Sequence, residues 1–467
     1  MKTLLLFGAI VLSINSFAQN ILWETTLGGS QDDRSFEIIS TSDNGYLSVG
    51  FSKSTDVLVS ANNGLADFWV TKLDSLGNLE WEKNYGGSDS EIANSACELS
   101  SGGYLILGNS KSNDIDVSNN YGGDDYWLIK IDAVGNIIWE KNFGGSLDDI
   151  GRKVIETSDN NIMIIGYSKS SDMDIPGNMG LEDCAILKLN SSGNIIWSQN
   201  YGANGWDRAE DIIEVSSGGY LITGQSSSEQ YLLRLDNNGV VLWEQLHGGS
   251  SFDYGTEVIE TFDGGYIVSG ATYSSDGDVS NNYGDHDGWI VKTDSSGNIQ
   301  WEKNYGGVGY DKSPFIAQTF DQKYIVGGFS WGAAGNDIWN AYGGADFWLM
   351  KLETNGNIIW SKNYGHGGEN IMRSMIIDAN EDIIVAGETW GSGDDISNSY
   401  GNYDKWIAKI GDSTSTLGFN SISLEFPNRE RIMIIDFMGR ETEFKANTPL
   451  IFIYSDGTRE RVMKMEE

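Results

Sequence analysis

Carboxylates recur in this chain at spacings suited to gripping a cation. Asp114 and Asp116 are followed by Asp125, Asp172 and Asp174 by Asp183, and Asp276 and Asp278 by Asp287. An Asp-x-Asp step aims two oxygens at one point, the way hard cations such as calcium are held in loops, although the third near ligand and closing Glu of an EF-hand loop are missing. The same residues also shape turns by accepting main-chain N–H bonds. Where they bind rather than bend, calcium is the cofactor they favour, with Asp114, Asp116, Asp125, Asp276, Asp278 and Asp287 as ligands.

A second acidic series runs Asp33, Glu91, Asp149, Asp207, Asp253, Asp311, with Asn370 in the next place. It reads either as a ring gripping a cation or substrate, or as a set of turn caps. Just before it, Trp206, Phe252 and Tyr310 stand where earlier members have Asp32, Ser90 and Asp148, and Trp331 and Trp390 replace Lys53, Lys111 and Lys169. Flat aromatic faces among Asp and Asn suit a sugar, whose ring stacks while its hydroxyls hydrogen-bond. Packing between loops is their plainer use. These aromatics are the candidate ligand-binding residues.

Catalytic motifs are missing by comparison. There is no nucleophile motif, phosphate loop or His-x-His pair, and His247, His286 and His366 fall in loops and links, where solvated side chains are expected. Glycoside hydrolysis needs a carboxyl of raised pKa beside an ionised one. With 67 acidic residues, no such pair stands out. Cys97 and Cys184 are too few for a disulfide scaffold or a four-cysteine zinc site and suit small buried thiols.

The elements that position these residues come from a repeat. Trp23, Trp81, Trp139, Trp197, Trp243, Trp301 and Trp360 each sit in a segment like Gly-Asn-Ile-x-Trp-Glu-Lys-Asn-Tyr-Gly-Gly, with gaps of 58, 58, 58, 46, 58 and 59 residues. Each unit carries four strand signals; those around the second run from Glu91 to Leu99, Gly103 to Gly108, Tyr126 to Asp132 and Asn136 to Asn142, parted by glycine turns. The predicted fold is all-β: a seven-bladed β-propeller of four-stranded antiparallel blades over residues 19–412. The Asp-x-x-x-Gly-x-x-x-Trp text resembles the outer hairpin of pyrroloquinoline-quinone-type propeller repeats. On that phase Ile21 to Leu27 lacks a hairpin partner and is expected to complete the last blade beside Trp406. Antiparallel connectivity then puts the tight turns on one face, and the Tyr-Gly-Gly-Ser links and long loops on the other. The gap of 46 falls on a long loop shortened to Ser226-Ser-Ser-Glu229, which predicts a notch in that face.

The ends differ from the repeat. Lys2, the apolar run Leu4 to Leu12 and Ser16-Phe17-Ala18 match a signal peptide over residues 1–18, with Gln19 starting the mature chain. No later segment has the apolar length of a membrane span. Residues 420–467 hold no Trp and only Gly439 and Gly457, and alternate like short strands of a small C-terminal β domain. Their Asp436-Phe-Met-Gly-Arg440 and the basic strand Arg459 to Lys464 resemble the C-terminal sorting domains of Bacteroidetes type IX secretion, though only Pro427-Asn428 remains of the usual Pro-Asn-Pro opening. That resemblance implies the secretion machinery as a partner and a secreted, extracellular or outer cell-surface location.

Charge narrows the function. With 67 Asp and Glu against 30 Lys and Arg, the net charge of −37 argues against nucleic acid and anionic membranes as partners and favours a neutral or cationic one. The reading is an exported or cell-surface protein whose loop-rich acidic face holds a glycan or an extracellular protein. The alternative is a polysaccharide hydrolase or lyase using face carboxylates.

Overall fold

A computed structural model describes residues 19–411, apart from residue 333, together with the strand residues 431–435, 450–454 and 459–462. The signal-peptide segment and Asp436 to Arg440 lie outside the described residues. The described chain is all β, and no helix in it is long and apolar enough to cross a membrane.

Each repeat forms one antiparallel sheet of four strands. In the first blade the middle strands Tyr46–Ser52 and Asp67–Leu73 are buried at every position. Both of their faces press on neighbouring blades, so their residues are apolar or small on both sides. The inner strand Asp33–Ser40 and outer strand Leu79–Tyr85 are partly covered. The glycine turns behave as the sequence predicts: Asp74 Oδ1 accepts the N–H groups of Leu76 and Asn78 at 2.9 Å while Gly77 takes φ = 82°.

The repeated Trp-Glu and Tyr residues have structural partners. Trp69, Trp127 and Trp289 on third strands donate their indole N–H groups to Glu82, Glu140 and Glu302, the residue after the repeat's Trp. In the third blade Ala185 and Ser198 stand at these two positions, so both halves of the bond are missing together. Tyr85, Tyr201 and Tyr305 donate their hydroxyls to the carbonyls of Gly135, Gly239 and Gly356 in the next blade's hairpin at 2.6 Å.

Seven such four-stranded blades close into a ring, the fifth and sixth joined into one eight-stranded sheet by the pairing of Gly270 with Ser313. Their inner strands are Asp33–Ser40, Glu91–Glu98, Asp149–Glu156, Asp207–Glu214, Asp253–Glu260, Tyr310–Gln318 and Asn370–Ile377. Each packs on the next, and the last packs on the first. The last sheet takes its outer strand from the chain's start: Ile21–Leu27 pairs antiparallel with Asp404–Ile410, Thr26 opposite Trp406. The protein is a β-propeller. In the fourth blade the long loop is reduced to a turn at Ser227 and Ser228 between Tyr220–Ser226 and Glu229–Leu235. Residues 431–435, 450–454 and 459–462 make a separate antiparallel sheet of three strands.

Candidate functional site

The acids at the head of each inner strand cap turns. Asp33 accepts the Gly29 N–H at 2.7 Å and the Ser54 hydroxyl at 2.8 Å, and Asp253 does the same with Gly249 and Ser274. Both are fully buried. Their oxygens are spent on the link between blades, and they do not form an open ring of ligands.

The loop carboxylates are sorted differently from their order in the sequence. Asp114 accepts the Ser88 N–H at 2.8 Å and Asp116 the Gly86 N–H at 3.2 Å, which places both at the link entering their own blade. Asp125 opens the third strand and accepts the Tyr121 N–H at 2.5 Å, facing the link that leaves the blade. Burial pushes Asp67 up to about 6, with repulsion from Glu91 and Asp116 adding to it. Burial likewise takes Asp125 to about 7, reinforced by Asp149 and Asp174. Asp116 thus belongs with Asp67 and Glu91, and Asp125 with Asp149 and Asp174. The pattern repeats for Asp276, which accepts from Ser250, and Asp278, from Gly248, while Asp287 faces Asp311 and Asp337. The calcium ligand sets expected from sequence are therefore divided between two links, and among the described residues no group of three or more His, Cys, Asp or Glu side chains is arranged to hold a metal ion.

The candidate aromatics all stand at strand ends on the loop face. Trp206, Trp331 and Trp390 are 48%, 43% and 56% exposed. Trp206 borders the notch, its carbonyl accepting the Ser227 N–H. Phe252 and Tyr310 are drawn into one cluster: Phe252 meets Tyr254 and Tyr273, and His286 lies 4.2 Å from Tyr273 and 4.5 Å from Tyr310, centroid to centroid. Trp331 is paired in register with Tyr310. Trp390 stands apart, beside Tyr403 in the last blade.

The histidines correct the expectation of solvated loops. His247, His286 and His366 are all buried. His247 takes the place of the linking Tyr and bonds the Gly297 carbonyl at 3.0 Å. Burial, with Lys312 adding, drives His286 down to about 3, so its imidazole is neutral in the aromatic stack.

The axis of the ring carries what the sequence reading missed. On each second strand a glycine faces the inner strand so closely that a Cβ would come within 1.8 to 2.0 Å of a main-chain oxygen, from Gly50 against Arg34 to Gly387 against Ile371. The inner strand bulges there and leaves Phe36, Asn94, Arg152, Glu210, Thr256 or Arg373 outside the ladder. The following side chain accepts an N–H from the next blade: Glu37 from Ala96, Ser95 from Val154, Asp211 from Val258, Glu257 from Ile316 and Ser374 from Ile38. Lys153 reaches Glu37 at 2.5 Å and Asp211 at 3.8 Å. Above this belt, toward the loop face, cations gather in a strongly acidic chain. Arg34 and Arg373 share the buried Glu388 at 3.4 and 2.7 Å, Arg152 pairs with Glu210 at 2.5 Å, and Arg208 pairs with Glu182. Arg34 also lies 4.3 Å from the Tyr403 centroid. The signal was in the text, as Asp33-Arg34, Asp207-Arg208 and Asp311-Lys312, but each pair is isolated until the ring closes.

No family model matches the chain, and no curated protein does. Among solved structures it is similar to the WD40 domain of Neurospora crassa Pan2, at 9% identity and a TM-score of 0.45, covering 82% of this chain and 95% of that one. It is also similar to a functionally unknown protein from Desulfotomaculum acetoxidans, at 12% identity and a TM-score of 0.41, covering 72% of this chain and 94% of the other.

Proposed function

We propose that this protein is an exported, cell-surface binding module that holds a glycan on the loop face of its propeller. The observation that carries the reading is the set of exposed rings at the strand ends of that face, Trp206, Trp331 and Trp390, of which Trp331 stands opposite the partly covered Tyr310. Exposed flat rings of this size favour ligand contact, because water gains nothing from them and a pyranose face does. Export is supported by the leader-like residues 1–18 and by the likeness of Asp436 to Arg440 to a type IX sorting signal. The test is a glycan array with wild type and a Trp206→Ala, Trp331→Ala, Trp390→Ala triple variant. Binding that drops at least about tenfold in the folded variant supports the reading. A protein partner captured with no glycan signal, or reducing ends released from a bound polysaccharide, replaces it with the corresponding alternative.

A further inference from the structure

Lys312 is the unusual cation at the mouth of the axis. Its Nζ lies 5.2 Å from the Tyr254 ring centroid and 5.3 Å from that of Tyr310. Among the described residues no hydrogen bond or ion pair holds it, whereas Arg34, Arg152, Arg208 and Arg373 each have a carboxylate partner. Glu210 is the acidic group that reaches Lys312 electrostatically, and it is already paired with Arg152; Arg373, on the adjoining inner strand, adds positive charge. Arg34 and Arg373 divide one carboxylate, Glu388, so this side of the mouth has more cations than anions.

We infer that the loop-face end of the ring's axis is a seat for the carboxylate of a uronic acid residue, held by Lys312 with Arg373 beside it, while the sugar ring lies against Tyr254 and Tyr310. The inference rests on the glycan reading and names its class. A carboxylate completes the unpaired ammonium, and two tyrosine faces flank the same ammonium. A pyranose carries its carboxylate rigidly on the ring that stacks, so one rigid group satisfies both. An acidic peptide offers the charge on a flexible stem without the flat partner.

The test uses the full chain and a panel of galacturonate, glucuronate, mannuronate and guluronate oligosaccharides, each as free acid and as its methyl ester. The expected result is free acid bound at least about tenfold more tightly than ester, a preference that weakens with salt, as a desolvated ion pair requires. Lys312→Met is expected to erase the preference at unchanged melting temperature, and Lys312→Arg to keep it. Equal binding of acid and ester overturns the carboxylate seat and leaves the glycan reading standing. Poly-L-glutamate bound more tightly than every uronate overturns the seat in favour of a peptide. No oligosaccharide or neutral glycan bound at all overturns both. Should Lys312→Met fail to fold, the wild-type comparison of acid with ester decides.

Discussion

Trp406 donates its indole N–H to Glu24 at 3.1 Å across 382 positions of sequence, and this bond spans the seam where the ring closes. Thr26 faces Trp406 in the ladder beside it, and Tyr364 holds the Gln19 carbonyl at 3.1 Å. Deleting residues 19–27 strips the outer strand from the last sheet and exposes an edge. The deletion is expected to aggregate in size-exclusion chromatography, while Glu24→Ala folds and loses about 1 kcal/mol in urea unfolding. A monomeric, fully stable deletion variant refutes closure by this strand.

The belt around the axis gives a second expectation. Glu37 satisfies both the Lys153 ammonium and the Ala96 N–H, two groups from two other blades. Glu37→Ala leaves both without that acceptor and is expected to destabilise by on the order of 2–3 kcal/mol. Glu37→Ala combined with Lys153→Met is expected to lose more than Glu37→Ala alone, because Lys153 keeps Asp211 as a partner at 3.8 Å in the single variant and the double variant strips that buried carboxyl of its ammonium. Denaturant midpoints of the two variants decide this.

Stability is expected to fall as pH rises from about 4 to 7. Burial holds the carboxyls of Asp67, Asp311 and Asp346 up at about 6 and those of Asp125 and Asp287 at about 7, against about 4 in the unfolded chain. The native state therefore binds more protons, its advantage is complete below about pH 4, and it is lost through pH 6 to 7. Asp43 acts oppositely: it is partly buried, yet the Lys72 ammonium and Thr41 hydroxyl hold it down at about 2, so its contribution disappears as pH falls from about 4. Melting temperatures are expected to peak near pH 4 to 5; a curve still climbing from pH 5 to 7 means that the link carboxyls are ionised in the fold.

Lys405 is a local conflict. It stands where other blades have Phe68, Tyr126 or Phe347, with its Nζ 4.4 Å from the Trp69 centroid, and burial drives its pKa down to about 7. The unfolded chain holds that proton up to about pH 10, so the native state is penalised most below pH 7. Lys405→Met is expected to raise the melting temperature more at pH 5 than at pH 9. An equal effect at both values removes the titration from the explanation.

The strands are legible in the sequence because their punctuation is local. The turn after Asp74 needs only Asp74, Gly77 and Asn78, and the strand reading from Glu91 to Leu99 meets the observed Glu91–Glu98. The site is less legible because its neighbours are set by closure. Asp116 and Asp125 are nine positions apart, yet the loop between them crosses the blade and gives each to a different link. The cations Arg34, Lys312 and Arg373 are placed at one mouth by a ladder between the first and last strands, which no short window of sequence contains. The bulk charge of −37 is not repeated at the axis, where Arg34, Arg152, Lys153 and Arg373 stand paired with Glu388, Glu210, Glu37 and Asp211.

The strand Asp404–Ile410 is bonded on one side to Ile383–Thr389 and on the other to Ile21–Leu27. Whatever pulls on the segment that leaves after Ile410 pulls along a strand clasped from both sides. Such a load must shear two rows of bonds at once rather than unzip one row step by step, so a propeller tethered by this tail hangs from a strand that is held along both of its edges.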